Sequence, residues 1–301
     1  MSIPLAYAGV VLIWSTTPLA IQWSGQEVGF LFGITSRMLL GVLAGMAAAL
    51  VMGIRLPWHA AARRTYLAAG LGMFLAMLSV YWASQYIPSG WISVLFGIAP
   101  IVTGVMASRW LGERALVPTR IAGMLLGVAG LAIMLLGAHS LGAGAPLGIA
   151  GMVFSVTAYS ASAVAVKRIG ADIPALATTI GGLAVTVPLL LAVYYLTDTP
   201  LPHAISVRTA GSIVYLGIVG SVLGFAMYYY VLRHVEATRV ALITLVTPVI
   251  ALLLGHILNG EPLQPEVWAG TGAILSGLLL FEYGQDMNGW LERLLAMITP
   301  E

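Results

Sequence analysis

The 301-residue chain contains no cysteine and few charged residues. The absence of cysteine excludes a disulfide framework, a thiolate nucleophile and a CxxC metal site. Only 8% of the residues are charged and 60% are apolar, with a mean hydropathy of +0.98, whereas soluble domains carry about a quarter charged residues. A soluble globular fold is therefore excluded. The net charge of +2 comes from dispersed residues, a pattern that favours no nucleic-acid partner.

Long stretches without Asp, Glu, Lys or Arg alternate with short charged segments. A transmembrane helix needs about 20 apolar residues, so the stretches 65–108 and 121–166 are each long enough for two spans. Six further stretches predict one span each: 1–26, 28–54 (interrupted by Arg37), 173–197, 209–232, 240–260 and 267–281. The sequence therefore predicts an all-α integral membrane protein with ten spans and no extramembrane domain.

The basic residues are distributed unequally between the two sides of these spans. Of the 13 Lys and Arg, eleven lie on the side reached after even-numbered spans, Arg208 lies on the other side, and Arg37 lies within a span. Basic residues accumulate on the cytoplasmic side of membrane proteins. Both termini are therefore predicted to be cytoplasmic.

The second half of the chain repeats features of the first in the same order. Three pairs of like residues align at an offset of 148: Tyr81 with Tyr229, Pro100 with Pro248, and Glu113 with Glu261. The pattern Pro-x11-Gly-Glu thus occurs twice. Five spans is an odd number, so the second half should enter the membrane in the opposite direction. In agreement, the loop at Glu113 carries arginines, and the loop at Glu261 carries no basic residue before the next span.

This organisation predicts two inverted five-helix repeats, residues 1–145 and 146–285, around a central cavity. Such an architecture favours alternating access to a site near the middle of the bilayer. Residues 286–301 have an amphipathic pattern that predicts a tail lying on the cytoplasmic leaflet.

Together, these features resemble a known transporter family. Trp14-Ser15 in span one, Arg37 in span two and the doubled Pro-x11-Gly-Glu pattern are similar to the EamA branch of the drug/metabolite transporter superfamily, in particular its YddG-type exporters of aromatic amino acids. The resemblance implies ten helices in two inverted halves, with a cavity lined mainly by spans 1, 3, 4, 6, 8 and 9. It also implies amino-acid substrates, outward transport and a bacterial inner-membrane location.

Aromatic and hydroxyl side chains near the middle of the spans are the first candidate binding residues. Trp14 and Tyr159 align at an offset of 145, and aromatic residues with polar groups at mid-depth need a partner in the protein or a ligand. Around them lie the hydroxyls of Ser15, Thr17, Ser155, Ser160 and Ser162. The alternative is that these aromatics fill space between helices and that the hydroxyls bond to backbone carbonyls.

Proline and tyrosine pairs add further candidates in both halves. Pro100 and Pro248 should kink spans four and nine and free carbonyl groups near the centre, where Thr244 shares a helix face with Pro248. Tight helix packing is the alternative interpretation of these small-residue faces. Tyr81 and Tyr229 would suit symmetric gates, or else an interfacial aromatic belt.

Arg37 is a candidate partner for a substrate carboxylate, because an ionisable residue inside a span favours a functional role. The alternative role for the Arg37 side chain is hydrogen bonding to carbonyl groups of neighbouring helices. Glu113 and Glu261 are interpreted as structural, since each follows a glycine that can end a helix and precedes another helix.

The sequence favours a secondary transporter for small amphiphilic metabolites. Aromatic groups would contact an apolar moiety, and hydroxyls and carbonyls would contact a zwitterion. The absence of mid-depth carboxylates predicts facilitative transport, without a proton relay. Drug or nucleotide-sugar transport stays open, as does a channel. An intramembrane enzyme is disfavoured, because the histidines are dispersed and HExxH is absent. No cofactor, metal or obligatory protein partner is predicted; the expected partners are the substrate and the lipid bilayer.

Overall fold

The fold is seen in a computed structural model that describes residues 2–113, 118–137, 142–245, 247–262 and 264–298. Every regular element in these ranges is helical, in agreement with the predicted all-α class. The α-helices in chain order are α1 (Ile3–Gly25), α2 (Phe30–Val51), α3 (Ala60–Ala83), α4 (Ser89–Phe96), α5 (Ala99–Trp110), α6 (Pro118–Gly137), α7 (Ala145–Ile169), α8 (Ala175–Leu196), α9 (Val207–Tyr215), α10 (Gly224–His234), α11 (Ala237–Ala241), α12 (Thr247–Asn259) and α13 (Pro265–Ile298). A π-helix (Leu216–Leu223) joins α9 to α10, and a 3-10 turn (Leu242–Leu245) follows α11.

Seven helical segments in the described ranges are long and apolar enough to cross a membrane. They are α1, α2, α3, Ser89–Trp110, α7, α8 and Val207–His234. Shorter apolar helices lie at Ile250–Asn259 and Pro265–Phe281. The chain is thus a multi-pass membrane protein, and the count of ten spans stays a prediction. The prediction for the tail depends on the side chains of residues 286–301. These side chains lie outside what the structure describes, although the backbone of residues 286–298 is described as part of α13.

Spans four and nine are interrupted, where the sequence predicted only kinks. The first is divided between α4 and α5 at Gly97 and Ile98, and Pro100 lies in the first turn of α5. In the second, a 3-10 turn precedes α12, whose second residue is Pro248. Proline has no backbone N–H and fits the first turn of a helix, where that donor would have no partner. Each proline therefore begins a new half-helix instead of bending a continuous one.

Glycines allow α6 and α13 to pack backbone against backbone. A Cβ atom on Gly123 would lie 2.3 Å from the carbonyl oxygen of Gly277, and one on Gly130 would lie 2.6 Å from that of Gly270. At the repeat offset of 147, Gly123 corresponds to Gly270 and Gly130 to Gly277. The two contacts are therefore each other's equivalents, as an inverted duplication would produce.

The two motif glutamates make equivalent contacts as well. Each carboxylate accepts bonds from two backbone N–H groups and one hydroxyl: Glu113 from Ala237 and Thr238, and Glu261 from Ser89 and Gly90. Residues 89 and 90 align with 237 and 238 at the same offset of 148 that relates the glutamates. Each half thus caps the start of a half-helix in the other half. This reciprocity agrees with a duplicated chain and with a structural role for both glutamates, and the inversion of the repeats stays a prediction.

Candidate functional site

A small cavity of about 60 Å³ lies where the interrupted helices meet α1, α2, α3, α7 and α10. Its lining is mainly apolar, as is usual for small-molecule sites. The lining residues are Trp14, Thr17, Pro18, Ile21, Arg37, Met77, Val80, Ile92, Ser93, Phe96, Tyr159, Phe225, Thr244 and Thr247. They come from predicted spans 1, 3, 4, 6, 8 and 9, together with Arg37 from span two.

Aromatic rings form one wall of this cavity. The ring of Tyr159 lies 5.9 Å from those of Trp14 and Phe96, with interplanar angles of 74° and 86°. Phe225 lies 6.4 Å from Trp14, also edge to face. Aromatic pairs favour this arrangement because a positive ring edge meets a negative ring face. The wall is therefore held by contacts within the protein.

Threonine hydroxyls supply polar atoms to the lining. The hydroxyl of Thr17 donates to the Ile13 carbonyl (2.9 Å), and that of Thr244 donates to the Ala241 carbonyl (2.9 Å). Thr247, the first residue of α12, donates to the Thr244 carbonyl (3.2 Å). Because each hydroxyl proton is already engaged, these oxygens offer a ligand acceptor lone pairs.

Arg37 is the charged residue of the lining. Its side chain is 2% exposed, and its Nε donates to the Ser221 hydroxyl at 3.0 Å. Its guanidinium lies 6.0 Å from the centre of the Tyr81 ring. Nη1 is buried without a hydrogen-bond partner, and no carboxylate in the described part of the chain forms an ion pair with this guanidinium. The partner of Arg37 is thus a hydroxyl, where one sequence interpretation expected backbone carbonyls.

The π-helix makes room for this arginine. A Cβ atom on Gly220 would lie 3.3 Å from Arg37 Nη2, and one on Gly217 would lie 3.1 Å from the Arg37 carbonyl oxygen. π-helical turns are rare in proteins, and many of those that do occur lie at functional sites. Here the π-helix brings Ser221 and two glycines against α2, so that the guanidinium can lie between the helices.

The structure brings five of the predicted site residues to the main cavity: Trp14, Thr17, Arg37, Tyr159 and Thr244. Ser162 and Tyr229 line a small adjoining cavity of about 10 Å³, which shares Tyr159 and Phe225 with the main one. Tyr229 also lines an open cleft of about 310 Å³ that contains Lys167 and Arg233. Tyr229 therefore lies between the cleft and the inner cavities.

The other predicted residues lie outside the lining of the main cavity, among contacts between and within helices. Ser15 donates to the Val11 carbonyl (2.7 Å), Ser155 donates to the Ala76 carbonyl (2.9 Å), and Ser160 accepts from Thr103 (2.9 Å). Tyr81 is fully buried and accepts from Ser24 at 3.3 Å. Pro100 and Pro248 are buried at the starts of α5 and α12. For the serines and prolines these placements match the alternatives of helix bonding and packing, whereas the full burial of Tyr81 does not match the alternative of an interfacial aromatic belt.

Nine of the fourteen lining residues are not among the predicted site residues, and Phe96, Phe225 and Thr247 are three of them. Phe96 immediately precedes the break after α4, and Thr247 immediately precedes Pro248. Proximity to a helix break could have indicated both. Phe225 follows Gly224 in an apolar run, and nothing in that pattern separates it from an ordinary packing residue.

Comparison with known proteins agrees with this architecture. The model of the EamA-like transporter family matches residues 1–136 and 146–283. The chain belongs to this family. The two matched segments coincide closely with the two predicted repeats, and the family name indicates a transporter rather than an enzyme.

Similar proteins are named as transporters too. An uncharacterized transporter of Archaeoglobus fulgidus is 27% identical over 92% of this chain and 97% of its own. A probable terminal-alkyne amino-acid exporter of Streptantibioticus cattleyicolor is 27% identical over 90% of each chain. An uncharacterized inner membrane transporter of Escherichia coli is 28% identical over 93% of this chain and 90% of its own. One crystal structure superposes with a TM-score of 0.69 at 21% identity, over 94% of this chain and 98% of that one, which shows the shared fold.

Proposed function

We propose that this family member is a facilitative exporter of small amphiphilic metabolites, in the first place aromatic or other neutral amino acids, resembling the YddG-type exporters. It would lie in the bacterial inner membrane with both termini cytoplasmic, and would work by alternating access between two inverted five-helix repeats. The observation that carries the proposal is the cavity itself, whose lining combines aromatic rings with polar groups at the breaks of two helices.

The lining suits a molecule with one apolar and one polar end. The rings of Trp14, Phe96 and Tyr159 offer edges and faces to an aromatic or branched side chain. Threonine oxygens can accept from an ammonium group, and Arg37 can donate to a carboxylate. The relative from Streptantibioticus, whose name states that it exports an amino acid, supports this substrate class.

Alternating access is supported by the reciprocal capping of half-helices between the two halves. Tyr229 separates the open cleft from the inner cavities, which supports its role as a gate. None of the fourteen lining residues is acidic, and this supports transport down the substrate gradient. A nucleotide sugar would require several basic residues for its phosphates, and Arg37 is the basic residue of the lining. The substrate and the bilayer are the proposed partners.

The test is counterflow of labelled phenylalanine in proteoliposomes. Trp14→Ala and Tyr159→Ala should each lower the exchange rate about tenfold, because each removes an aromatic surface of the cavity wall. Trp58→Ala is a matched control, since Trp58 is 72% exposed and far from the lining set. Wild-type rates in both cavity variants would contradict the site. Uphill accumulation driven by an imposed proton gradient would contradict facilitative transport.

A further inference from the structure

The charge of the cavity is unbalanced. Arg37 brings a guanidinium into the lining, and none of the other lining residues is ionised at neutral pH. Its side chain is 2% exposed, and Nη1 is buried without a partner. A buried cation without a counter-ion is costly in a low-dielectric environment. The guanidinium therefore requires a negative charge that the described part of the protein does not supply.

The helix breaks add to this positive character. Helix α12 begins at Thr247, a lining residue, and α12 continues for 13 residues to Asn259. The N-terminus of a helix carries a partial positive charge, and interrupted helices in transporters direct such ends at anionic groups of their substrates. The cavity thus presents a guanidinium and the start of a half-helix to its contents.

The C-terminal end of α4 also reaches the lining, at Phe96, and carries a partial negative charge, but no lining residue supplies a full negative charge to balance a positive group. An ammonium would find acceptor oxygens on Thr17, Thr244 and Thr247, but these are uncharged. A zwitterion bound beside Arg37 leaves one net positive charge in the cavity, whereas a monoanion leaves none. Electrostatics therefore favours the monoanion over the zwitterion.

We propose that the cavity is a monoanion site in which the carboxylate on Arg37 is the required group of the substrate and the ammonium is dispensable. Amphiphilic monocarboxylates with an aromatic or branched tail are accordingly preferred ligands over the matching amino acids. This rests on the proposed function, because it assigns a charge preference to the same cavity.

Three probes with the same ring and chain length differ only in their charged groups, so that the contributions of a carboxylate and of an ammonium can be measured separately. Binding of 3-phenylpropanoate (anion), phenylalanine (zwitterion) and 2-phenylethylamine (cation) would be measured by titration calorimetry on the full chain in nanodiscs at neutral pH. The expected order of affinity is anion, zwitterion, cation, with the anion about tenfold or more tighter than the zwitterion. Equal or tighter binding of phenylalanine would overturn the inference, and this comparison needs no variant.

Variants of Arg37 test the cause of the preference. Arg37→Gln keeps a donor for Ser221 but removes the charge, so the anion and the zwitterion should then bind within about twofold of each other. Arg37→Lys should keep the order. Arg55→Gln is the matched control, because Arg55 is exposed, lies outside the lining and should leave all three affinities unchanged.

The outcomes distinguish this inference from the function on which it rests. A preference for the anion that survives in Arg37→Gln would overturn the inference alone. Tight binding of all three probes without regard to charge would do the same and would leave an aromatic-substrate transporter in place. If none of the probes binds to the wild type, the proposed aromatic substrate class fails, and the charge preference fails with it.

Discussion

Two contacts that occupy equivalent places in the two halves have opposite character. On α2, Arg37 donates to Ser221 of the π-helix and lines the cavity. At the repeat offsets of 145 and 148, the corresponding residues are Gly182 on α8 and Met73 on α3. A Cβ atom on Gly182 would lie 3.2 Å from Ala69 Cβ and 3.3 Å from the side chain of Met73. The contact between Arg37 and Ser221 is polar and charged, whereas the contact between Gly182 and Met73 is tightly packed and apolar.

This difference shows that a repeated helical framework can support an asymmetric site. Helices α2 and α8 have the same length of 22 residues and the same place in the repeat. Only the side chains at the contact decide whether a charged cavity or a filled interface forms there. Under the proposed repeat, the charged lining would come from divergence between the halves, and the framework from their similarity.

The largest predicted effect is the difference in stability between alanine variants of the equivalent glycines Gly72 and Gly220. A Cβ atom on Gly72 would lie 2.1 Å from Ser162 Cβ, so Gly72→Ala should force α3 away from α7. We expect a loss of about 3 kcal/mol in the free energy of unfolding. In Gly220→Ala the new atom would be 3.3 Å from the flexible end of Arg37, and we expect less than about 1 kcal/mol.

Unfolding midpoints of the two alanine variants in the same detergent would measure this difference. Equal losses would mean that the two glycine contacts are alike in energy, contrary to their geometry.

A second prediction compares the two motif glutamates. Glu261 is 7% exposed and, besides its helix-capping bonds, accepts from Asn259 at 3.0 Å. Asn259 in turn bonds to Gln22 and Trp23 of α1, both at 3.0 Å. Glu113 is partly exposed. Glu261→Gln should therefore cost about 2 kcal/mol and Glu113→Gln about 1 kcal/mol of unfolding free energy.

Thermal unfolding of both glutamine variants, followed by circular dichroism, would check this order. A larger loss in Glu113→Gln would show that burial does not rank the two caps.

The smallest predicted effect concerns the starts of the equivalent helices α3 and α9. At α3 the cap is His59, which accepts from the Ala62 N–H at 3.3 Å. At α9, Glu27 accepts from the Ser206 N–H and the Thr209 hydroxyl, both at 3.2 Å. The side-chain hydrogen bond of Ser206, aided by its backbone N–H, by Thr209 and by Arg208, lowers the pKa of Glu27 despite some desolvation.

A lowered pKa means that this contribution of Glu27 to stability is present above the ordinary carboxyl pKa and is lost as the pH falls through the lowered value. The unfolding midpoint of the wild type should exceed that of Glu27→Gln at neutral pH, and the two should converge in acid. A midpoint difference that does not change with pH would contradict the role of the carboxylate charge.

The positions of the helices were largely predictable, because backbone groups have no water to bond with in a bilayer and must pair within a helix. That Trp14 and Tyr159 line the cavity could be predicted from their depth in the spans, and that Arg37 does so could be predicted from its place inside a span. The contacts of Ser15, Ser155 and Ser160 could not be predicted, since a hydroxyl on a helix serves equally for a ligand, its own helix or a neighbour. Which of these it contacts depends on the backbone that packs beside it.

Three properties of the sequence alone determined three predictions. Hydropathy predicted the membrane class, the doubled Pro-x11-Gly-Glu pattern predicted the repeat, and the arginine inside span two predicted a candidate site residue. Neither the break of spans four and nine into half-helices nor the cavity between Arg37 and the aromatic wall could be read from the sequence. The cavity arises from contacts between residues more than 100 positions apart, such as Arg37 with Ser221 and Trp14 with Tyr159. Such contacts exist only after the helices have packed, because packing sets the space and the polar partners that each side chain meets.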